Sequence, residues 1–132
     1  YKTLIAALVY LPQSNIGPEE ATGIASLEVS SGHVGVRVEG LPSLEGQLYE
    51  GWLMKQKNGA MLSTGKFNTD AKGRGDYSIT LGDQTDQGWD FFIITIEPEP
   101  DPSPDPSPDR SIGGPLRPSG ARLIYLGISF RA

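Results

Sequence analysis

Apolar and polar residues alternate with a period of two along much of the chain, a pattern that predicts strands rather than helices. The cleanest case is His33–Glu39, with Val34, Val36 and Val38 on one face and His33, Gly35, Arg37 and Glu39 on the other. Before it, Ala21–Ser30 places Ala25, Leu27 and Val29 on one face and Ser26 and Glu28 on the other, and Ser31-Gly32 turns the chain between the two. Asp76–Leu81 aligns Tyr77, Ile79 and Leu81, and Arg122–Phe130 aligns Ile124, Leu126, Ile128 and Phe130 as a closing strand. Thr3–Leu11 and Asp90–Glu97 are apolar on both faces, which predicts covered strands, the second at a sheet centre. No segment longer than one turn carries helical apolar spacing.

Between these strands, Leu48–Gly65 predicts a hairpin: Tyr49, Trp52, Leu53 and Met54, then Asn58-Gly59, then Met61 and Leu62. Asn-Gly is the strongest short hairpin signal, because a type I′ turn needs φ > 0 at both central residues. Pro12–Glu20, Gly40–Gly46, Asn68–Gly75, Gly82–Gly88 and Ile112–Ser119 are expected to be loops. From Pro98 to Pro108 a proline stands at every second position. Such a stretch can join neither a ladder nor a helix. It predicts an extended, polyproline-like arm on the surface at 98–110, whose replacement over Glu99–Asp109 by a short Gly-Ser loop changes stability by less than ~1 kcal/mol.

About eight short strands separated by turn signals imply an all-β fold, an antiparallel β-sandwich of immunoglobulin-like type with the proline-rich arm as a surface insertion. Several strands are apolar on one face and two on both, which favours the sandwich over a small closed barrel. The chain of 132 residues is expected to form a single domain, 1–132. It has no cysteine, so neither a disulfide nor a thiolate metal site can form. A net charge of −5 argues against sequence-independent nucleic-acid binding and against docking on anionic lipid. No apolar run is long enough to span a membrane, and Thr3–Leu11 lacks the flanks of a signal peptide. The chain opens at Tyr1 without Met and is expected to be part of something longer.

The candidates for chemistry are few. Trp52 is expected in the core, where an indole buries ~150–250 Å², worth at most ~4–6 kcal/mol; the rival role is a sugar-stacking platform. Trp89, in a polar loop, is a lid on the core or an exposed recognition residue. His33 is the one histidine and sits on an outward face, so no catalytic dyad or triad can be assembled around it from sequence. Asp83, Asp86 and Asp90 could offer oxygens to Ca²⁺ but lack the ligand spacing and glycine of an EF-hand loop. Glu19, Glu20 and Asp70 are too scattered for paired acid–base work, and Gly73-Arg74-Gly75 lacks the strand–loop–helix setting of a phosphate cradle. The Pro-Ser-Pro-Asp arm is an acidic spacer or, on the rival view, a polyproline ligand for an aromatic groove. No catalytic, cofactor-binding or metal-ligating residue is expected, and no enzyme activity.

Four stretches together resemble a known family: Tyr49-Glu50-x-Trp52-Leu53, the Asn-Gly turn with Gly65-Lys66-Phe67, the turn at Gly73, and Ile93–Pro98. The pattern is similar to the C-terminal extracytoplasmic domain of anti-sigma-K-type factors, with Gly113-Gly114-Pro115 standing where that family has a glycine-rich loop. The resemblance covers roughly Val34 to Pro118. The arm at Glu99–Arg110 departs from it, as does the absence of an N-terminal zinc-binding, sigma-inhibiting domain and of a membrane helix. What the resemblance implies is a non-catalytic sensing or protein-interaction module, extracytoplasmic, anchored through residues upstream, with a protein or cell-envelope partner. The alternative is a carbohydrate or cell-wall ligand-binding domain of an exported protein or lipoprotein.

Overall fold

The computed structural model describes residues 3–119. The closing strand expected at Arg122–Phe130 lies outside the described residues. Within them the chain runs β1 (Thr3–Leu8), β2 (Thr22–Glu28), β3 (His33–Glu39), β4 (Gln47–Met54), β5 (Met61–Phe67), β6 (Gly75–Thr80), a single 3₁₀ turn (Gly82–Thr85), β7 (Phe91–Pro98), β8 (Arg110–Pro115) and β9 (Arg117–Pro118). All pairings are antiparallel, in a five-stranded sheet ordered β6-β3-β2-β1-β9 and a four-stranded sheet ordered β5-β4-β7-β8. Two antiparallel sheets around one apolar layer make the expected β-sandwich.

The period-two pattern places the core. Ala6, Leu8, Ala25, Leu27, Val34, Val36 and Val38 come from the first sheet, and Tyr49, Leu53, Phe67, Phe92, Ile94, Ile96 and Ile112 from the second. Inside this layer Tyr49 stacks on Phe67 at 5.5 Å, and its hydroxyl donates to the Pro42 carbonyl at 2.5 Å. Burial pushes the Tyr49 phenol up to about 12.

Four expectations are corrected in detail. The first strand ends at Leu8 rather than Leu11, and only Ala6 and Leu8 on it are fully buried; Ala7 and Val9 are exposed. At Val9 the chain leaves its own sheet and makes an isolated bridge to Gly113 of β8, Val9 N–H to Gly113 O at 3.0 Å and Gly113 N–H to Val9 O at 2.9 Å. That bridge stitches the two sheets together along one side. Secondly, the Asn-Gly hairpin has a wider turn than type I′. Lys55 N–H donates to Ala60 O at 2.9 Å and Gly59 N–H to Lys55 O at 2.8 Å, and Gly59 takes the left-handed φ of 75°. Asn58 serves instead as a cap, its side-chain oxygen accepting from Ala60 N–H at 3.0 Å.

Thirdly, Gly113 and Gly114 belong to a strand, not a loop. A Cβ on Gly113 would stand 2.7 Å from Phe92 O, and one on Gly114 would stand 2.1 Å from Ala7 O. The two glycines let β8 lie against β7 and β1 where no side chain fits, which is a strand use of glycine. Fourthly, Trp52 is buried as expected, 3% exposed, but not in the main layer. Side chains alternate along β4, so Tyr49 and Leu53 face the other sheet while Trp52 and Met54 face away. There they join Phe91 and Ile93 of β7, with Leu11 and Met61 packed alongside, in a second apolar cluster. A bulge at Thr64 adjusts the neighbouring pairing: Gly51 faces Gly65, and Trp52 faces Ser63.

Candidate functional site

The outer face of the four-stranded sheet carries buried polar groups beside the Trp52 cluster. Glu50 on β4 lies opposite Thr95 of β7 and Lys66 of β5, and Glu97 lies two residues further along β7. Glu97 is 1% exposed and Glu50 6%. Carboxylates are almost never this buried unless paired. The indole Nε1–H of Trp52 donates to Thr95 Oγ1 at 2.9 Å, and Thr95 Oγ1–H donates to Glu97 Oε2 at 2.5 Å. The Ser107 backbone N–H reaches the same Oε2 at 2.8 Å. Glu97 Oε1 is buried and has no hydrogen-bond partner among the described residues. Ser63 Oγ–H donates to Glu50 Oε2.

The proline-rich arm folds back over this face. Asp101 brings a third carboxylate, and one oxygen each from Glu50, Glu97 and Asp101 lie within 4.8 Å of one another. Lys66 Nζ sits 3.2 Å from Asp101 Oδ2 and 3.6 Å from Glu99 Oε1. Glu50, Lys66, Asp101, Pro102, Ser103 and Pro104 line a cleft of about 280 Å³. Burial pushes the Glu50 carboxyl up, with the Glu97 charge adding to it and the Ser63 hydrogen bond working against it. Asp101 is held below the usual carboxylate range, chiefly by the Ser103 backbone N–H and then by Lys66.

The arm lies on the surface as expected, but it is tied down and turned rather than extended. Ser103 N–H donates to Asp101 Oδ1, Asp105 N–H to Ser103 Oγ and Asp109 N–H to Ser107 Oγ, a run of side-chain turns. Ser107 Oγ–H donates to Ile96 O at 2.6 Å, and Asn15 brackets the far end through Pro108 O and Arg110 N–H. Replacing Glu99–Asp109 with a short Gly-Ser loop takes the Ser107 N–H from a buried carboxylate, a bond of a kind worth about 1.5–3 kcal/mol. Removal of the Asp101 charge offsets part of that. The expected net loss in urea melts is above ~1 kcal/mol, larger than the sequence suggests. A smaller loss would restore the arm to a detachable spacer.

The other candidates stay apart. Asp83, Asp86 and Asp90 are exposed and form no common ligand group, Asp90 instead accepting from Gln56 N–H at 3.0 Å. Glu19 and Glu20 are exposed. Asp70 closes its own turn, accepting from Lys72 and Arg74 N–H, which holds its carboxyl low. His33 is half-buried with Nδ1 3.4 Å from Thr80 Oγ1. Trp89 is a partly buried lid packed on the main core: its Nε1–H donates to Gln84 O at 2.7 Å, and Lys55 Nζ stands 4.9 Å over its ring.

The acidic group is not legible in the sequence, because Glu50 and Glu97 stand 47 residues apart and Asp101 lies on the proline-rich arm. A signal exists: Glu50 and Glu97 are the one charged residue in β4 and in β7, each in a largely apolar strand. Both stand in stretches that carry the family resemblance, Tyr49-Glu50-x-Trp52 and Thr95-Ile96-Glu97-Pro98. No helix among the described residues is long and apolar enough to cross a membrane. No curated protein and no solved structure matches the chain. A family model does: "Anti-sigma-K factor rskA, C-terminal" matches residues 3–112, from β1 into β8 and including Glu50, Glu97 and Asp101.

Proposed function

Because the chain belongs to the family of anti-sigma-K factor C-terminal domains, we propose that it is a non-catalytic sensing or protein-interaction module, held on the extracytoplasmic side of a membrane. In this reading the parent protein regulates a sigma factor, and the domain passes on a protein or cell-envelope signal. The single observation that carries it is the extent of the match, which takes in both sheets rather than one motif. The binding of sigma factor itself is not assigned to this chain, since the resemblance ties that role to a separate zinc-binding domain. The carbohydrate-binding alternative gains nothing from Trp89, whose N–H is used internally and whose ring is overlain by Lys55.

The absence of cysteine makes the location directly testable. Lys57 is exposed in the β4–β5 turn, so Lys57→Cys in the full parent protein adds one reactive thiol to this domain. A membrane-impermeant maleimide is expected to label it in intact cells, against a parent without the substitution as background. Labelling that appears only after lysis would place the domain in the cytoplasm and overturn the extracytoplasmic reading.

A further inference from the structure

We propose that Glu50, Glu97 and Asp101 form a binding site for a hard divalent cation, Ca²⁺, which clamps the proline-rich arm onto the outer face of the four-stranded sheet. Three carboxylates meet, from β4, from β7 and from the arm that follows β7, with single oxygens all within 4.8 Å of one another. Calcium–oxygen distances of ~2.3–2.6 Å put ligands on opposite sides of one ion ~4.6–5.2 Å apart and adjacent ligands closer. The spacing of the three oxygens is therefore that of ligands around one ion.

Two independent features ask for a cation. The first is charge. Glu50, Glu97, Glu99 and Asp101 gather around one ammonium, Lys66, which contacts Glu99 and Asp101 from a partly exposed position. Like carboxylates at this spacing repel one another unless a proton or a cation is shared. The second is the unpartnered Glu97 Oε1. Its side chain is 1% exposed and held by Thr95 and Ser107 through the other oxygen, which leaves Oε1 without a hydrogen-bond partner among the described residues. A buried charged acceptor without a partner is costly, and metal coordination is one of the few ways to satisfy it. The donor set is all oxygen, with no imidazole or thiolate, which selects calcium or magnesium over zinc or copper. The open cleft beside Asp101 and Ser103 leaves room for the waters that complete a six- to eight-fold calcium shell. The site does not depend on the regulatory role proposed above, and its test reads the isolated chain.

The experiment uses the full 132-residue chain stripped with chelator. CaCl₂ at millimolar concentration is expected to raise Tm by several degrees, more than MgCl₂ does. TbCl₃ provides a second readout: Trp52 is linked to Glu97 through one hydroxyl, so excitation of tryptophan is expected to sensitise terbium emission. Glu97→Gln should lose both effects. Asp101→Asn, on the arm outside both sheets, should lose them too. Trp52→Phe should lose most of the emission and keep the calcium-dependent rise in Tm. No rise in Tm with calcium overturns the proposal. So does emission that persists in Glu97→Gln, which would mean that exposed arm carboxylates gather the ion loosely. A chain stabilised only by acidification, with no response to calcium, also overturns it and identifies a shared proton in the ion's place.

Discussion

Trp52→Ala is expected to cost ~3–5 kcal/mol in denaturant melts, the usual range for emptying an aromatic packing site. The domain can spare little of that, since a typical total is ~5–15 kcal/mol. The indole is 3% exposed and forms the middle of a layer shared with Met54, Phe91 and Ile93. Those neighbours are strand residues, fixed by β4–β7 pairing at Trp52–Ile93 and Met54–Phe91, so they cannot close in on the space left behind. The same change also takes a donor from Thr95 Oγ1, which positions Glu97. Trp52→Phe keeps most of the ring and loses that bond, at an expected cost of about 1–2 kcal/mol. A loss below ~1 kcal/mol for the alanine variant would show that the outer cluster is an ornament on a fold held by the inner layer alone.

Gly114→Ala is the second large effect, expected at about 3 kcal/mol, the upper end of overpacking. A methyl at Gly114 would stand 2.1 Å from Ala7 O. That oxygen belongs to backbone and cannot swing aside as a side chain would. Either β8 moves away from β1 or the pairing of β8 with β7 gives way. The Val9–Gly113 bridge next to it is expected to weaken in both cases. The variant should therefore show faster hydrogen exchange at the Val9 and Gly113 amides as well as a lower urea midpoint. Gly59→Ala is the comparison: its φ of 75° is strained for alanine, but nothing lies within 4 Å of the added methyl. Its cost should be the local ~1–2 kcal/mol of a left-handed residue. Equal losses at the two positions would mean that β8 adjusts freely.

The elements that could be read from sequence are those whose cause is local. His33–Glu39 matches β3 at both ends, because three valines in strict alternation leave one way to bury them. The covered strand at Phe91–Pro98 and the hairpin pair around Asn58-Gly59 follow from apolar runs and turn residues a few positions apart. The elements misread from sequence have causes that are distant. Gly113-Gly114 has the composition of a loop, and only the close passage of β7 and β1 explains it as a strand. Leu4–Val9 is apolar throughout, yet only a partner sheet can decide which half is covered. Trp52 was legible as buried but not as facing outward, since alternation gives two faces and does not say which one meets the other sheet. The acidic group is the extreme case. Nothing between Glu50 and Glu97 in sequence connects them, and Asp101 joins them where the arm leaves β7, held there by Lys66 and the Ser103 N–H.

The seam between β1 and β8 has a consequence for how the chain folds. Ser14 Oγ–H donates to Ser111 O across 97 positions, Asn15 reaches Pro108 across 93, and Val9 bridges Gly113. β1 precedes the other described strands in the chain, yet it is among the last to find all its partners. Until residues 110–118 come into place, β1 has one edge paired to β2 and the other bare, open to strands of neighbouring unfolded chains. Closure of the two ends, rather than growth of any one hairpin, then sets the pace. That topology belongs with the slow, millisecond-to-second folders. It also makes holding the open edge of β1, and not rescuing the finished sandwich, the point at which a chaperone has most to offer.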